Sequence, residues 1–378
     1  MAETMNMMEV SVDRFIKLVR EELEDENYDP MLGLGKSGVG KTMSIYELTE
    51  ELGIGFCELR LVTLTEIDLL GIPTIENGRT TYAANALLPD VARDGEEGIL
   101  VLDEITSASS TIRAAAYQLL DSKRALGNYK LPPKWKVIAL GNGIDDGGVF
   151  QGMENAFLSR AVCYRIEPNL DSWKKWAINK GVNPSIIAYL SFDPSKLHDM
   201  NVDDIASIFP CPRSWTALSK KLNAREKRAG RVLDTADVEL YAAGAIGVEA
   251  ASSFSAFYSY NNQTVSVEDI LNGKVSAEKA CSLPSEVIHL LLQSLASECR
   301  KILIDGKLEV DYSEECTNKI IAITKWIVGL SKVRVDYSLI ILNDIANIPE
   351  FTDFVLLSSA IESCNDFMEF AAEHSALG

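Results

Sequence analysis

The stretch Gly35-Lys36-Ser37-Gly38-Val39-Gly40-Lys41-Thr42 decides the fold. It has the form GxxxxGKT. The apolar run MLGLG (31–35) precedes it and reads as a strand, and SIYELTEEL (44–52) follows with helical spacing. Glycine adopts backbone angles that other residues avoid, so such a loop can aim several N–H groups at one anion. A helix starting directly after the loop adds the positive end of its dipole. On this reading the backbone from Gly35 to Thr42 holds a nucleotide's phosphates. Lys41 reaches the β- and γ-phosphates, and the Thr42 hydroxyl ligates Mg2+. A chance glycine-rich turn would need neither the strand before it nor the helix after it.

Working outward, CELRLVT (57–63), GILVLDE (98–104), KVIALGN (136–142) and AVCYRIEP (161–168) read as further strands, and IRAAAYQLLDSK (112–123) as a helix. Strands alternating with helices imply an α/β domain with a mostly parallel sheet. The runs are continuous rather than alternating, as strands covered on both faces require. GILVLDE ends in Asp103 and Glu104. An acid at the end of a buried strand is costly unless it has a task. Beside a phosphate loop, Asp103 is expected to hold Mg2+ and Glu104 to deprotonate the attacking water. A kinase of small molecules gains nothing from a water-activating Glu, so the pair favours hydrolysis. Asn142 closes VIALGN, where an amide can hold the water or sense the γ-phosphate; an Asn before Gly143 is also a common turn former. Arg160 in AFLSRAVCYRIEP and Arg213 in FPCPRSW, taken alone, would be surface salt bridges worth little.

From about Asn169 the strand patterns stop. DSWKKWAI, PSIIAYL, PRSWTALSKKLNAREKRAG and ADVELYAAGAIGVEAASSFSAF read as helices. YNNQTVS (260–266) looks like a boundary, and PSEVIHLLLQSLASECRKIL, CTNKIIAITKWIVGLSK and SLIILNDIANI are amphipathic helices beyond it. The expected organisation is an α/β nucleotide-binding domain over 1–168, a helical lid over 169–262 and a C-terminal helical region over 263–378. The stripe in VIHLLLQSL and the tryptophans Trp173, Trp176, Trp215 and Trp326 are expected to pack cores. Asp305, Glu309 and Asp311 are expected to face solvent.

The succession GKSGVGKT, VLDE, ALGN, FLSR and PRSW resembles the AAA+ ATPases, specifically the MoxR-like group of the helix-2-insert clade. TEIDLLGIPTIENGRTTYAANALLP (65–89) matches that clade's inserted element, with DLLG and a glycine-containing hairpin. The resemblance covers about residues 10–225. It implies a three-layer P-loop NTPase domain followed by an all-α lid. It also implies ATP and Mg2+ as cofactors, Asn142 as the first sensor, Arg160 as a finger presented to a neighbouring subunit, and Arg213 as the second sensor within its own subunit. The group's pair before the last strand is Asp-Arg or Asn-Arg, and here it is Ser159-Arg160. A ring is implied with the finger, usually a homo-hexamer acting as a chaperone-like remodeller of a client protein. Such enzymes often work with a von Willebrand factor A-type protein. A GTP-type NKxD signature is missing, which favours ATP. No Tyr-Val-Gly pore motif occurs; the insert carries Ile67, Leu69, Leu70 and Ile72, whose plain expectation is burial, so peptide threading has no support.

The chain has 378 residues, 47% hydrophobic and 24% charged, with a formal net charge of -19. That acidity argues against nucleic acid as a partner, because phosphate backbones are held by clustered Lys and Arg. No run approaches the roughly 20 apolar residues that span a bilayer. The seven cysteines form no CxxC pair, which fits reduced thiols in a cytoplasmic protein. Two other readings stand beside the remodeller: a nucleotide-gated assembly switch with slow hydrolysis, and a DNA-associated motor, which the charge disfavours.

Overall fold

A computed structural model describes residues 7–25, 29–83, 85–143, 146, 158–200, 207–260, 266–309, 311–357 and 365–375. The chain divides into two compact units. One comprises the described residues up to Asn169, the other those from Leu170 to Met200 and from Ser207 onward.

The first unit opens with β1 (Met8–Val10) and α1 (Val12–Glu24), an N-terminal pair not expected from the sequence. Then come β2 (Met31–Gly35), α2 (Lys41–Leu52), β3 (Gly55–Arg60), α3 (Glu66–Leu70), β4 (Ile72–Glu76) and β5 (Arg79–Ala83). They are followed by α4 (Val91–Asp94), β6 (Glu97–Asp103), α5 (Ser110–Leu120), β7 (Ala125–Leu126), β8 (Tyr129–Lys130), β9 (Lys134–Gly141) and β10 (Val162–Ile166). Six strands form one sheet in the order β1-β10-β2-β9-β6-β3. Every pairing in it is parallel.

Alternate residues of β6 point to opposite faces. Ile99 and Val101 join Phe15 and Val19 of α1 and Ile45 and Leu48 of α2 in one core. Leu100 and Leu102 join Ile112, Ala116 and Leu119 of α5 in another. Helix, sheet and helix therefore make three layers, the fold of P-loop NTPases. At about 25 cal/mol per Å2 of apolar surface, each buried Leu or Ile adds roughly 1.5–3 kcal/mol.

CELRLVT is a strand only to Arg60, since Leu61–Thr63 turns as a 3-10 helix. β4 and β5 form an antiparallel hairpin. Its turn residues Asn77 (φ 54°) and Gly78 (φ 72°) are both left-handed, as a two-residue hairpin turn requires. The insert corrects one expectation. Leu69 is buried and Leu70 partly so, but Ile67 (59%) and Ile72 (62%) are exposed. A three-turn-or-shorter helix and a lone hairpin have too little surface to cover both faces of such a segment.

The second unit is helical. Its elements are α6 (Leu170–Asn179), α7 (Pro184–Phe192), α8 (Pro212–Ala229), α9 (Thr235–Ile246), α10 (Val248–Tyr258), α11 (Val267–Leu271) and α12 (Ala277–Cys281). The chain continues through α13 (Ser285–Gly306), α14 (Glu314–Ser331), α15 (Val335–Ala346), α16 (Pro349–Leu357) and α17 (Asn365–Ser375). The run expected as one helix from ADVELYAAG onward is two, broken at Gly247. That residue has φ 86°, and a Cβ there would lie 2.4 Å from the Ile208 carbonyl oxygen. One core cluster runs from Trp173 to Phe370 and includes Trp215, Trp326 and the α13 residues Leu290, Leu291, Leu292 and Leu295. Of the boundary stretch YNNQTVS, residues 261–265 lie outside the described residues. Among the described residues no helix is long and apolar enough to cross a bilayer.

Candidate functional site

The parallel sheet brings the C-terminal ends of β2, β9 and β6 to one side, the side where open α/β sheets bind ligands. Gly35 ends β2 and α2 begins at Lys41. Gly38 (φ 80°) and Gly40 (φ 105°) have left-handed backbone, which lets the loop curl over the start of the helix. Gly35 has a second reason to be glycine. A Cβ there would stand 2.1 Å from the Ile166 carbonyl oxygen of β10.

Lys41 Nζ donates to the Gly35 carbonyl (2.5 Å) and the Lys36 carbonyl (3.0 Å), and reaches Asn142 Oδ1 at 3.4 Å. Thr42 Oγ1 donates to Asp103 Oδ2 at 2.9 Å. The backbone N–H of Glu104 donates to Asp103 Oδ1 at 2.8 Å. Asp103 is 9% exposed and, among the described residues, has no cationic partner. A hydroxyl and a carboxylate oxygen at hydrogen-bond distance form the hard oxygen donor set that suits Mg2+. The curled loop and the α2 N-terminus suit phosphate.

Glu104 stands just outside β6 with φ 55°. Left-handed backbone at a non-glycine residue costs on the order of 1–3 kcal/mol and persists only where the surroundings impose it. Here Ile105 N–H donates to the Leu140 carbonyl (3.0 Å) and Ser107 N–H to the Glu104 carbonyl (3.0 Å). The Glu104 side chain is half-buried and makes no hydrogen bond or ion pair with a described residue. Asn142 follows β9, and its own N–H donates to Thr106 Oγ1 at 3.1 Å. Gly141 makes room for that threonine, whose methyl and hydroxyl would lie 2.8 Å from a Cβ at 141.

Arg160 lies elsewhere. Val162 of β10 pairs with Met31 and Ile166 with Gly35. At about 3.3 Å per residue, Val162 is roughly 13 Å along the strand from the level of Gly35, and Arg160 precedes it. Arg160 therefore sits at the end of the sheet away from its own phosphate loop. Its Nε donates to Asp121 Oδ1 at 2.5 Å, just after α5. Arg213 belongs to the second unit, exposed in the first turn of α8 behind Pro212. Among the described residues it forms no ion pair.

The structure also supplies site residues that the sequence reading did not name. Glu58 of β3 lies on the strand next to β6, two residues from the Arg60–Asp103 pairing. Burial first, and then the Asp103 charge, hold its carboxyl above the ordinary range, while Arg60 pulls it down. Thr106, Asp146, Arg165 and Glu167 surround Asn142 and the loop. No local motif marks them: Thr106 meets Asn142 across 36 positions and Asp146 meets Arg165 across 19.

Solved structures with a likeness to the chain include NtrX from Brucella abortus. Its ADP complex shows 16% identity and a TM-score of 0.33, over 55% of this chain and 49% of that one. Its ATP complex shows 16% identity and a TM-score of 0.35, over 57% and 49%. Hsp104 in a closed state with ATPγS and FITC casein shows 21% identity and a TM-score of 0.33, over 49% and 35%. The chain thus spans about half the length of the NtrX chains and about a third of Hsp104. No curated protein matches it. Residues 30–161, from the residue before β2 to the residue before β10, match the family described as AAA domain (dynein-related subfamily). The chain therefore carries an AAA domain over that segment.

Proposed function

We propose that this chain is a Mg2+-dependent ATPase of the AAA+ MoxR-like group, working in a ring and remodelling partner proteins. One observation carries the reading: the Thr42 hydroxyl meets the Asp103 carboxylate at 2.9 Å, with Glu104 next in the chain in left-handed backbone. That contact supports reading Thr42 and Asp103 as the metal-binding pair and Glu104 as the general base beside the phosphate loop. Bound Mg2+ would supply charge neutralisation between the β- and γ-phosphates. The loop backbone from Gly35 to Thr42 cradles the phosphates, and Lys41 exchanges carbonyl partners for phosphate oxygens. Glu104 takes a proton from water as the water oxygen attacks the γ-phosphorus. Asn142 orients that water. The bond to the ADP oxygen breaks, and ADP and phosphate leave.

The location of Arg160 supports a ring. An arginine at the far end of the sheet serves a neighbour's site rather than its own, where such a group accelerates hydrolysis by about 10³–10⁵. Arg213 is assigned to the nucleotide of its own subunit. The division into a domain over 1–168, a lid over 169–262 carrying Arg213, and a C-terminal region over 263–378 belongs to the same proposal. So do the hexamer, the client protein, recruitment through a von Willebrand factor A-type protein, and a cytoplasmic location.

Glu104→Gln tests the reading. The variant should bind ATP and assemble, yet lose turnover and remodelling. Remodelling that survives without turnover would instead favour a nucleotide-gated switch. Arg160→Ala should abolish turnover and keep ATP binding. Mixed with Lys41→Ala it should regain some activity, because intact fingers then face intact loops; no recovery counts against the trans role.

A further inference from the structure

A chain of charged groups links the phosphate loop to the turn after Asn142. Lys36 Nζ lies 3.5 Å from Glu167 Oε2, and Arg165 Nε donates to Glu167 Oε1 at 2.6 Å. Arg165 also donates from its terminal nitrogen to Asp146 Oδ1 at 3.2 Å. Asp146 Oδ2 accepts the backbone N–H of Gly143 at 2.5 Å, and Asp146 N–H donates back to the Gly143 carbonyl at 3.2 Å. The Asp146 side chain is fully buried and that of Arg165 is 22% exposed. Gly143 leaves room for these side chains: a Cβ would lie 2.6 Å from Asp146 Oδ2 and 3.0 Å from an Arg165 nitrogen and would push them aside.

We propose that Arg165 and Asp146 are positioning residues that hold the Asn142 amide at the γ-phosphate site by clamping the peptide that follows it. The inference rests on the ATPase reading above. Two successive amides are pinned: Asn142 N–H by Thr106 and Gly143 N–H by Asp146. With both held, the Cα–Cβ direction of Asn142 is fixed, and from there its amide oxygen reaches Lys41 Nζ at 3.4 Å. A catalytic group displaced by about 1 Å can lose on the order of 10²-fold in rate, so such a clamp has a kinetic consequence. The guanidinium is the group for this task. Its fork reaches two carboxylates at once, from Nε to Glu167 and from the terminal nitrogen to Asp146, which a single ammonium does not reproduce. A surface ion pair would leave water to replace either partner. Among the described residues, the buried Asp146 carboxylate is held by Arg165 and the Gly143 amide. Strand β10 thus carries the clamp at one end and starts two residues after Arg160 at the other.

A double-mutant cycle on the full-length chain tests this, with steady-state ATP turnover and ATP affinity read for each protein. Arg165→Ala should lower kcat by about 10- to 100-fold while KM for ATP moves by no more than about two-fold. Asn142→Ala should lose at least as much. Arg165→Ala combined with Asn142→Ala should fall within about two-fold of Asn142→Ala alone, because Arg165 acts through that amide. Arg165→Lys should recover only a small part of the loss. Losses that multiply in the double variant, or a raised KM with kcat intact, overturn the proposal. If Arg165→Ala does not unfold cooperatively, Glu167→Gln replaces it in the same cycle, since it loosens the clamp without emptying the buried pair. A wild-type chain that binds ATP but never turns it over defeats the ATPase reading by itself. The relay is then read from the preference for ATP over ADP in the same proteins: non-additive losses keep it and independent losses sink it.

Discussion

Asp103 in the first unit and Asp344 in the second are both buried, and the two are partnered in opposite ways. Asp103 is 9% exposed and Asp344 4%. Asp103 takes hydrogen bonds from neutral donors, the Thr42 hydroxyl and the Glu104 amide, with Glu58 as a further acid nearby. Asp344 on α15 takes the Lys174 ammonium on both oxygens, at 2.9 and 3.1 Å, and the Gln293 amide at 2.5 Å. Burial pushes the Asp344 carboxyl up, and Lys174 pulls it back down. Burying an ionised carboxylate costs several kcal/mol unless a positive charge compensates it. Asp344 meets that need inside the fold and locks α6, α13 and α15 together. Asp103 has no such positive partner among the described residues. Similar burial therefore does not mean similar partnering: one carboxylate is charge-compensated inside the fold, and the other, among the described residues, meets only neutral donors.

Lys174→Ala tests the locked side and carries the largest expected effect. It should cost about 3–5 kcal/mol in denaturant unfolding, because Asp344 is left buried and unpaired. Replacing all three groups, Lys174→Met with Asp344→Leu and Gln293→Leu, should bring stability back to within about 1 kcal/mol of wild type. A large residual loss there would show that the cluster matters for packing rather than for charge. Asp103→Asn tests the other carboxylate. Turnover should fall by at least about 10²-fold, or ~2.7 kcal/mol on the barrier, while unfolding shifts by less than about 0.5 kcal/mol. A stability loss comparable to that of Lys174→Ala would erase the contrast. The smallest effect is expected at Gly247, remote from both carboxylates in its contacts. Gly247→Ala should cost about 1–3 kcal/mol in unfolding. ATP affinity measured on the same protein should stay unchanged, and a shift in it would mean that the helical unit's backbone and the nucleotide site are coupled.

Much of the α/β unit was legible in the sequence. MLGLG, GILVLD and KVIALG are strands because covered parallel strands are continuous apolar runs. α2 and α5 appear where their periodicity places them. β1 and α1 were not legible. A three-residue edge strand has too little pattern to read, and α1 buries only Phe15 and Val19 completely. In the helical unit the helices were legible but Lys174 was not. In DSWKKWAI it looks like any solvated lysine, and its partner lies 170 positions away.

The same division runs through the candidate site. The phosphate loop, the Asp103–Glu104 pair and the residues after each strand follow from local order alone, since a loop's glycines and a strand's last residue sit where the neighbouring residues put them. The tertiary structure decided the rest. It set Glu58 beside Asp103 through the pairing of β3 with β6, sent Arg160 to the far end of the sheet through the register of β10 on β2, and joined Asp146 to Arg165 across 19 positions. Strand order and register are properties of the assembled sheet, and the periodicity of a single segment carries no record of which neighbour it will meet or at what height.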